Sequence, residues 1–166
     1  MLNTLTIDIA APPTLVFELA RNVRRWEVLL PHYARSRALR SDPDGALVVD
    51  FVALRPLVGL LGLGLPVAWR ARTWSEPDAH QLRFVHLAGA TRGMDVTWRI
   101  EAVGPNTRVF IDHLFRPRLP GFATFIDRGF IRPIARRTLV TFKALAESLA
   151  AGPEKSDLPA RANDSP

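Results

Sequence analysis

Residues 94–115, "MDVTWRIEAVGPNTRVFIDHLF", contain two runs of alternating apolar and polar side chains separated by a Gly-Pro-Asn turn. A period of two is typical of a half-buried strand, because successive side chains point to opposite faces of a sheet. The turn is too short to hold a crossover helix, so the two strands must be antiparallel neighbours. This hairpin therefore predicts an antiparallel sheet with one apolar face.

Further strands are predicted on both sides of the hairpin. Near the N-terminus, Leu5, Ile7 and Ile9 alternate with polar residues, and short turn sequences separate the later runs. Two short helices are predicted after this first strand: one opened by Pro12 or Pro13, the other closed by Pro31. The remaining predicted strands are Tyr33–Leu39, Ala46–Ala53, Val67–Trp74, Gln81–Ala88, Met94–Val103 and Arg108–Phe115.

Downstream of the hairpin the apolar period changes to three and four residues, which predicts one long amphipathic helix over Phe122–Ala150. Gly129 and Pro133 are expected to kink it or to split off its first turn. The helix is the segment long and apolar enough to cover the sheet, so the sheet must curve around it. The prediction is an α+β helix-grip fold: a seven-stranded curved antiparallel sheet wrapped around a long C-terminal helix, with two short helices after strand 1. Residues 1–150 are expected to form one domain and 151–166 a disordered tail.

Three segments resemble the polyketide cyclase/dehydrase family of the START-like (SRPBCC, helix-grip) superfamily. The first is "IDIAAPPTLVFELARNVRRWEVLLPHYARSRAL", with its Pro12–Pro13, Val16–Phe17, Trp26, and Pro31 with Tyr33. The others are the late strands "VTWRIEAVGPNTRVFIDHLF" and the final helix "RRTLVTFKALAE". The resemblance covers roughly residues 3–149 and implies the helix-grip fold. It implies no single activity, because the superfamily holds aromatases, cyclases, lipid and quinone carriers, hormone receptors and allergens without a shared catalytic motif.

Strand parity predicts which side chains face the helix, and it places the imidazole of His113 inside. In Gln81–Ala88 either face fits, and the face with His86 is preferred. The expected interior is wide and mostly aromatic, as in a small-molecule pocket, although a filled core with satisfied histidines stays open as the alternative. The predicted cavity residues are Trp69, Phe84, His86, Trp98, Ile111, His113, Phe115, Phe125 and Phe130. His32 and His80 are expected at the surface or rim, and the scattered histidines predict no metal site.

The apolar run "RPLVGLLGLGLPVAW", residues 55–69, is too short and too interrupted by Gly and Pro for a membrane span. Its glycine spacing does not fit a dinucleotide-binding loop, and a strand follows where such a loop needs a helix. The sequence instead predicts a flexible apolar flap over the cavity mouth, opposed by Phe122, Phe125 and Phe130; a loop that plugs the cavity is the alternative. The flap residues are Leu57, Leu60, Leu61, Leu63 and Leu65.

The first functional hypothesis is a carrier or chaperone that binds a hydrophobic small molecule: a lipid, an isoprenoid or quinone, or a polyketide. The alternative is a polyketide cyclase, aromatase or dehydratase acting on a bound poly-β-ketone. In that enzyme His113 would transfer protons, Tyr33 would donate a hydrogen bond, and Arg116 would steady the oxyanion. Neither hypothesis calls for a cofactor.

The net charge is +6, from twenty Arg and two Lys against sixteen acidic residues. A remote third hypothesis is nucleic-acid binding by an outer face carrying Arg70, Arg72, Arg99 and Arg83. Peripheral contact with an anionic membrane is a further expectation, through Arg55, Arg116, Arg118 and Arg128. The absence of Cys and of a signal-peptide pattern predicts a cytoplasmic protein, with a peripheral position at the inner membrane face left open. The sequence leaves the ligand, the protein partner and the oligomeric state undetermined.

Overall fold

The computed structural model of the chain describes residues 2–56, 64–117 and 121–152. In these ranges seven antiparallel strands form one sheet, in the spatial order β1-β7-β6-β5-β4-β3-β2. The strands are β1 (Leu2–Ile9), β2 (Tyr33–Ser41), β3 (Leu47–Pro56), β4 (Gly64–Glu76), β5 (Gln81–Gly89), β6 (Asp95–Val103) and β7 (Asn106–Leu114). From β2 to β7 each strand pairs with the next one in the chain, and β1 pairs with β7. The predicted helix-grip topology is confirmed.

Two short helices connect β1 to β2, as predicted. Helix α1 spans Pro13–Arg21 and begins with a proline. Proline is tolerated there because the N–H groups of a first helical turn have no acceptor within the helix. A 3₁₀ turn, Val23–Arg25, leads into α2, Trp26–Leu29. The backbone leaves helical geometry at Leu30, the residue before Pro31, because a proline disfavours the α conformation at the preceding position.

The C-terminal helical segment is interrupted where Gly129 and Pro133 were expected to disturb it. Helix α3 spans Phe122–Ile126, a π-helical turn follows over Asp127–Ile131, and α4 spans Arg132–Ala151. Pro133 has no N–H to donate to the carbonyl of Gly129, so the regular hydrogen-bond pattern cannot run through this point. No helix in the described part of the chain is long and apolar enough to cross a membrane.

The apolar run between β3 and β4 is partly strand. Arg55 pairs with Leu65, and Pro56 pairs with Gly64, so the β3–β4 ladder continues into the segment predicted as a flap. Leu65 is therefore a strand residue, 41% exposed, rather than part of a loop. The other flap residues, Leu57, Leu60, Leu61 and Leu63, lie outside the described residues, as do residues 153–166 of the predicted tail.

Aromatic side chains occupy much of the space between the concave face of the sheet and α4. Trp26 lies at their centre, with ring centroids 5.6 Å from Trp98, 5.7 Å from Phe51 and 5.8 Å from Phe142 of α4. The convex face carries charged residues, among them the ion pair between Arg70 and Asp50. The sheet therefore has one apolar and one charged face, as the strand alternation predicts.

Helix α4 runs along the sheet from one end to the other. The side chain of Asn3, at the start of β1, donates to Asp127 just before the helix, and the backbone N–H of Ala10, just after β1, donates to Glu147 near the helix end. Strands β3, β5 and β7 end, and β4 and β6 begin, at the same end as Asp127. We call this end of the sheet, marked by Pro56, Gly89 and Leu114, the upper edge.

Candidate functional site

A cavity of about 80 Å³ lies between the concave face of the sheet and α4. Its walls are mostly aromatic and aliphatic, and its polar groups come from a tyrosine, two histidines and two threonines. The lining residues are Trp26, Tyr33, Phe51, Val67, Trp69, Phe84, His86, Thr91, Met94, Val96, Trp98, Ile111, His113, Phe130, Ile131, Ile134, Ala135 and Thr138. This composition matches small-molecule sites, which combine apolar walls with a few polar groups that fix orientation.

Most of the residues predicted for the cavity lie in its wall. The structure brings together Trp69, Phe84, His86, Trp98, Ile111, His113 and Phe130, and it adds Tyr33, which was predicted only as a donor. In Gln81–Ala88 the preferred face is the inner one: Leu82, Phe84 and His86 are all buried.

Two predicted cavity residues and one predicted catalytic residue lie elsewhere. Phe115 is buried, but it lies one residue beyond β7, where strand parity no longer applies, and it lines a separate cleft with Phe122. Arg116 is exposed on that cleft and does not line the cavity. Phe125 is 62% exposed, because its neighbour Ile126 occupies the inner side of α3 and adjacent helical residues cannot share a face.

The imidazoles of His86 and His113 both face the cavity and are both buried. Nδ1 of His86 lies 2.6 Å from Oγ1 of Thr91, and its ring stacks on Trp69 at 5.9 Å. Burial lowers the pKa of His86 to about 3, with a smaller contribution from His113. Burial also lowers the pKa of His113 to about 4, against the opposing charge of Asp127. Both rings are therefore neutral at pH 7.

The Nδ1 atom of His113 is buried and has no hydrogen-bond partner. Its strand neighbour across β1 is Asn3, whose side chain donates to the buried Asp127. A neutral imidazole with an unsatisfied ring nitrogen can exchange a hydrogen bond with a polar group that enters the cavity. Among the described polar groups of the cavity wall, His113 is the one with a buried ring nitrogen that has no hydrogen-bond partner.

A second polar cluster joins α4 to the start of β2. Thr138 donates to the carbonyl of Ile134, and its Oγ1 lies 3.0 Å from Nε2 of His32. Burial raises the pKa of the Tyr33 phenol well above its usual value, against a smaller opposing effect of Thr138. Tyr33 is therefore a neutral hydrogen-bonding group at pH 7.

The prediction that His32 lies at the surface or rim is wrong. The residue is 1% exposed, and burial, followed by the charge of Arg137, lowers its pKa to about 4. The ring lies in the interior because His32 connects α2 to β2 next to α4, and its Nε2 atom is within hydrogen-bond distance of Thr138 on that helix. His80 lies in the predicted turn, in the left-handed conformation, with its ring 5.2 Å from Phe17.

Sequence reasoning from the strands missed the helical part of the cavity wall. Trp26 comes from α2, and Ile131, Ile134, Ala135 and Thr138 come from the π turn and α4. The last four follow spacings of three and four residues, and this pattern in the sequence could have predicted that they share the helix face that points to the cavity. Within the described residues, no group of three or more His, Asp or Glu side chains is arranged to hold a metal ion.

Comparison with solved structures places the chain among helix-grip proteins. The Zhui aromatase/cyclase from Streptomyces sp. R1128 has 20% identity and a TM-score of 0.74, over 92% of this chain and 98% of that chain. A START superfamily protein from Mycobacterium smegmatis has 15% identity and a TM-score of 0.61, over 89% and 98%. The di-domain aromatase/cyclase BexL has 21% identity and a TM-score of 0.70, over 92% of this chain and 48% of that one. At these identities the likeness shows the fold alone.

Comparison of the sequence with protein families gives a match to one of them. No protein of curated function matches the sequence significantly. The sequence profile of the family described as "Polyketide cyclase / dehydrase and lipid transport" matches residues 3–147, which include the whole sheet except Leu2 and most of α4. The resemblance seen in the sequence is thereby confirmed, and the chain belongs to the polyketide cyclase/dehydrase and lipid transport family.

Proposed function

We propose that the protein binds a hydrophobic small molecule of the lipid, isoprenoid, quinone or polyketide class in this cavity and acts as its carrier or chaperone. The observation that supports the proposal is the aromatic wall between sheet and helix, with few polar groups and no buried charged group lining it. Each 100 Å² of apolar ligand surface removed from water contributes about 2.5 kcal/mol, so binding needs no catalytic group.

The size of the cavity sets a condition on binding. Its volume, about 80 Å³, is smaller than the roughly 300–1,000 Å³ of typical sites for drug-sized ligands. A lipid or polyketide must therefore move side chains apart as it enters. Phe130 is the wall residue best placed to move, because it is half-buried and lies in the π turn at the upper edge.

The ligand class can be identified directly by native mass spectrometry of protein purified from its own host. We expect a bound apolar molecule that is released on unfolding. Titration of the extracted compound should then change the tryptophan emission, since Trp26, Trp69 and Trp98 line the cavity. Trp74→Phe is the matched control: Trp74 lies on the other face of β4, next to Arg72, and its loss should leave the ligand-induced change intact. A protein that carries no molecule and shows no emission change with apolar compounds would contradict the proposal.

A cyclase, aromatase or dehydratase acting on a poly-β-ketone is the second candidate, and the unpartnered Nδ1 of His113 favours it. His113 would accept a proton from a carbon between two carbonyl groups, and Tyr33 would donate a hydrogen bond to the resulting enolate oxygen. The third predicted residue, Arg116, lies outside the cavity and has no role in this scheme. The lowered pKa of His113 makes it a weak base, which is why the carrier is preferred.

His113→Ala separates the two candidates. An enzyme that uses this imidazole should lose about 10²-fold or more in turnover of a poly-β-ketone. A carrier should keep its affinity within about tenfold, since the apolar wall stays intact. His80→Ala, which removes an imidazole outside the cavity, is the control for non-specific effects.

We also propose that the protein works in the cytoplasm and meets the inner face of the membrane with its upper edge. Phe125 is the most exposed aromatic side chain of the described residues, and Arg116 and Arg128, two of the arginines predicted for this contact, are also exposed, whereas Arg118 lies outside the described residues. Basic and aromatic residues together suit an anionic bilayer surface. Sedimentation with phosphatidylglycerol vesicles, which phosphatidylcholine vesicles should not match, tests this expectation.

A further inference from the structure

Arg55 lies at the end of β3, at the upper edge and next to the cavity. Its guanidinium lies 5.6 Å from the ring centroid of Phe130, which lines the cavity. The side chain is half-buried, and its Nε atom is buried without a hydrogen-bond partner. An arginine is permanently protonated, so this buried N–H is a hydrogen-bond donor without an acceptor.

The arginines of the convex face are bonded differently. Arg70 forms two hydrogen bonds to the carboxylate of Asp50, and Arg108 forms two to that of Asp8. Arg55 makes no ion pair within residues 2–56, 64–117 and 121–152. The seven residues that follow Pro56, "LVGLLGL", contain no acidic side chain in the sequence. Among the described residues, the strand pair that carries Arg55 thus brings a positive charge next to the cavity without a counter-ion.

Buried donors without a partner are rare in native proteins, and each one calls for an explanation such as an acceptor that arrives with a ligand. The guanidinium lies over the ring of Phe130, and its buried Nε–H is a donor that an oxyanion of a ligand can accept. Carboxylates and phosphates match a guanidinium because they accept two parallel hydrogen bonds.

On the basis of the proposed carrier function, we propose that the ligand is an anionic amphiphile whose oxyanion headgroup binds Arg55 at the upper edge while its apolar tail fills the cavity. The headgroup class is a carboxylate or a phosphate monoester. The site thereby selects its cargo: an apolar molecule with one anionic end binds more tightly than an uncharged molecule with the same tail.

Three probes with the same twelve-carbon tail test the proposal: dodecanoate, dodecyl phosphate and dodecan-1-ol, titrated at pH 8 with each anion below its micelle concentration and the alcohol below its solubility limit. We expect the wild-type protein to bind at least one anion about tenfold or more tightly than the alcohol, as for a hydrogen bond to a charged partner. Whichever anion binds more tightly identifies the headgroup. Arg55→Met keeps an apolar contact with Phe130 but removes the charge, so the preference should fall to about twofold while the affinity for the alcohol stays within about threefold.

Arg37→Met is the matched control, because Arg37 is an exposed arginine of β2 that does not line the cavity and should leave the preference unchanged. Arg55→Lys keeps the charge, so a folded variant should retain much of the preference even if Arg55→Met is unstable. Equal affinities of the wild-type protein for the alcohol and both anions, or a preference that survives in Arg55→Met, would overturn the proposal and leave the carrier function standing. If none of the three probes binds, the carrier function fails as well.

Discussion

Single residues of the cavity wall make the folded state sensitive to acid. The pKa is about 3 for His86 and about 4 for His113, against about 6.5 for histidine in an unfolded chain. Below about pH 6.5 these histidines bind protons in the unfolded chain but not in the folded protein. Their contribution to the free energy of unfolding is therefore fully present above that pH and is lost as the pH falls toward 4. Each histidine contributes a loss of about 1.4 kcal/mol per pH unit. Urea unfolding at pH 7 and pH 5 should show this loss.

The variant His86→Gln/His113→Gln is the control for this acid sensitivity. In this variant the free energy of unfolding should change less between pH 6.5 and pH 5. The change that remains comes from His32, which has the same sign because its pKa is also lowered. The carboxylates of the convex face, such as Asp50, have lowered pKa values and act below this window. A wild-type protein equally stable at both pH values would show that water reaches the imidazoles.

Individual side chains also mark the limits of the sequence prediction. The inward positions of His113 and Trp98 followed from alternation, which is reliable where one face of a strand is buried. Parity also placed Phe115 on the inner face, and the residue is buried, but it lines the separate cleft because it follows the last residue of β7. Parity did not reveal the free Nε of Arg55, since an unpaired donor depends on contacts between distant segments.

At the scale of elements, the π turn between α3 and α4 is a structural joint. It carries the buried Asp127, whose carboxylate accepts 2.6 Å hydrogen bonds from Nδ2 of Asn3 and Nε of Arg132. This network ties the start of β1 to the start of the long helix. The sequence predicted that Gly129 and Pro133 would interrupt the helix. It did not predict a π-helical turn, because that turn also involves the hydrogen bond between Asp127 and Asn3, which is distant in sequence.

Asp127→Ala should destabilise the protein by about 2 kcal/mol, measured by urea unfolding. Removing one member of a buried pair typically costs about 3–5 kcal/mol, and the half-exposed Arg132 reduces that figure because water can solvate it. Asp8→Ala is the control, since it removes an exposed carboxylate from its pair with Arg108 and should have a much smaller effect. Equal losses in the two variants would contradict a buried role for Asp127.

At the scale of the whole molecule, the distribution of charge decides against nucleic-acid binding by the convex face. Three of the four arginines predicted to form that surface, Arg70, Arg72 and Arg99, are paired with carboxylates. Phosphate binding would have to compete with these pairs, and the face carries acidic and basic charges side by side. Although the net charge is +6, the convex face does not form a continuous basic surface.

The fold as a whole was predictable because two periodicities, one for strands and one for the long helix, leave few ways to bury their apolar faces together. A cavity between them was predicted, but its size of about 80 Å³ was not, because that volume is a small difference between the space the backbone encloses and the side chains that fill it. Sheet length illustrates the point: β3 and β4 extend beyond their predicted ends into the apolar run, which changes the height of the cavity wall.

The proposed carrier function requires this empty volume, and a larger side chain on α4 would fill it. Ala135 of α4 lines the cavity, so Ala135→Leu places a larger apolar side chain in about 80 Å³ of space. We expect the affinity for dodecanoate to fall about tenfold or more, while the free energy of unfolding changes by less than about 1.5 kcal/mol because the added group fills space instead of displacing packed atoms. Ala144→Leu, the same change on the exposed side of α4, should alter neither quantity. Unchanged dodecanoate affinity in Ala135→Leu would place the ligand outside the cavity, whereas a large loss of stability would show that the space is already packed.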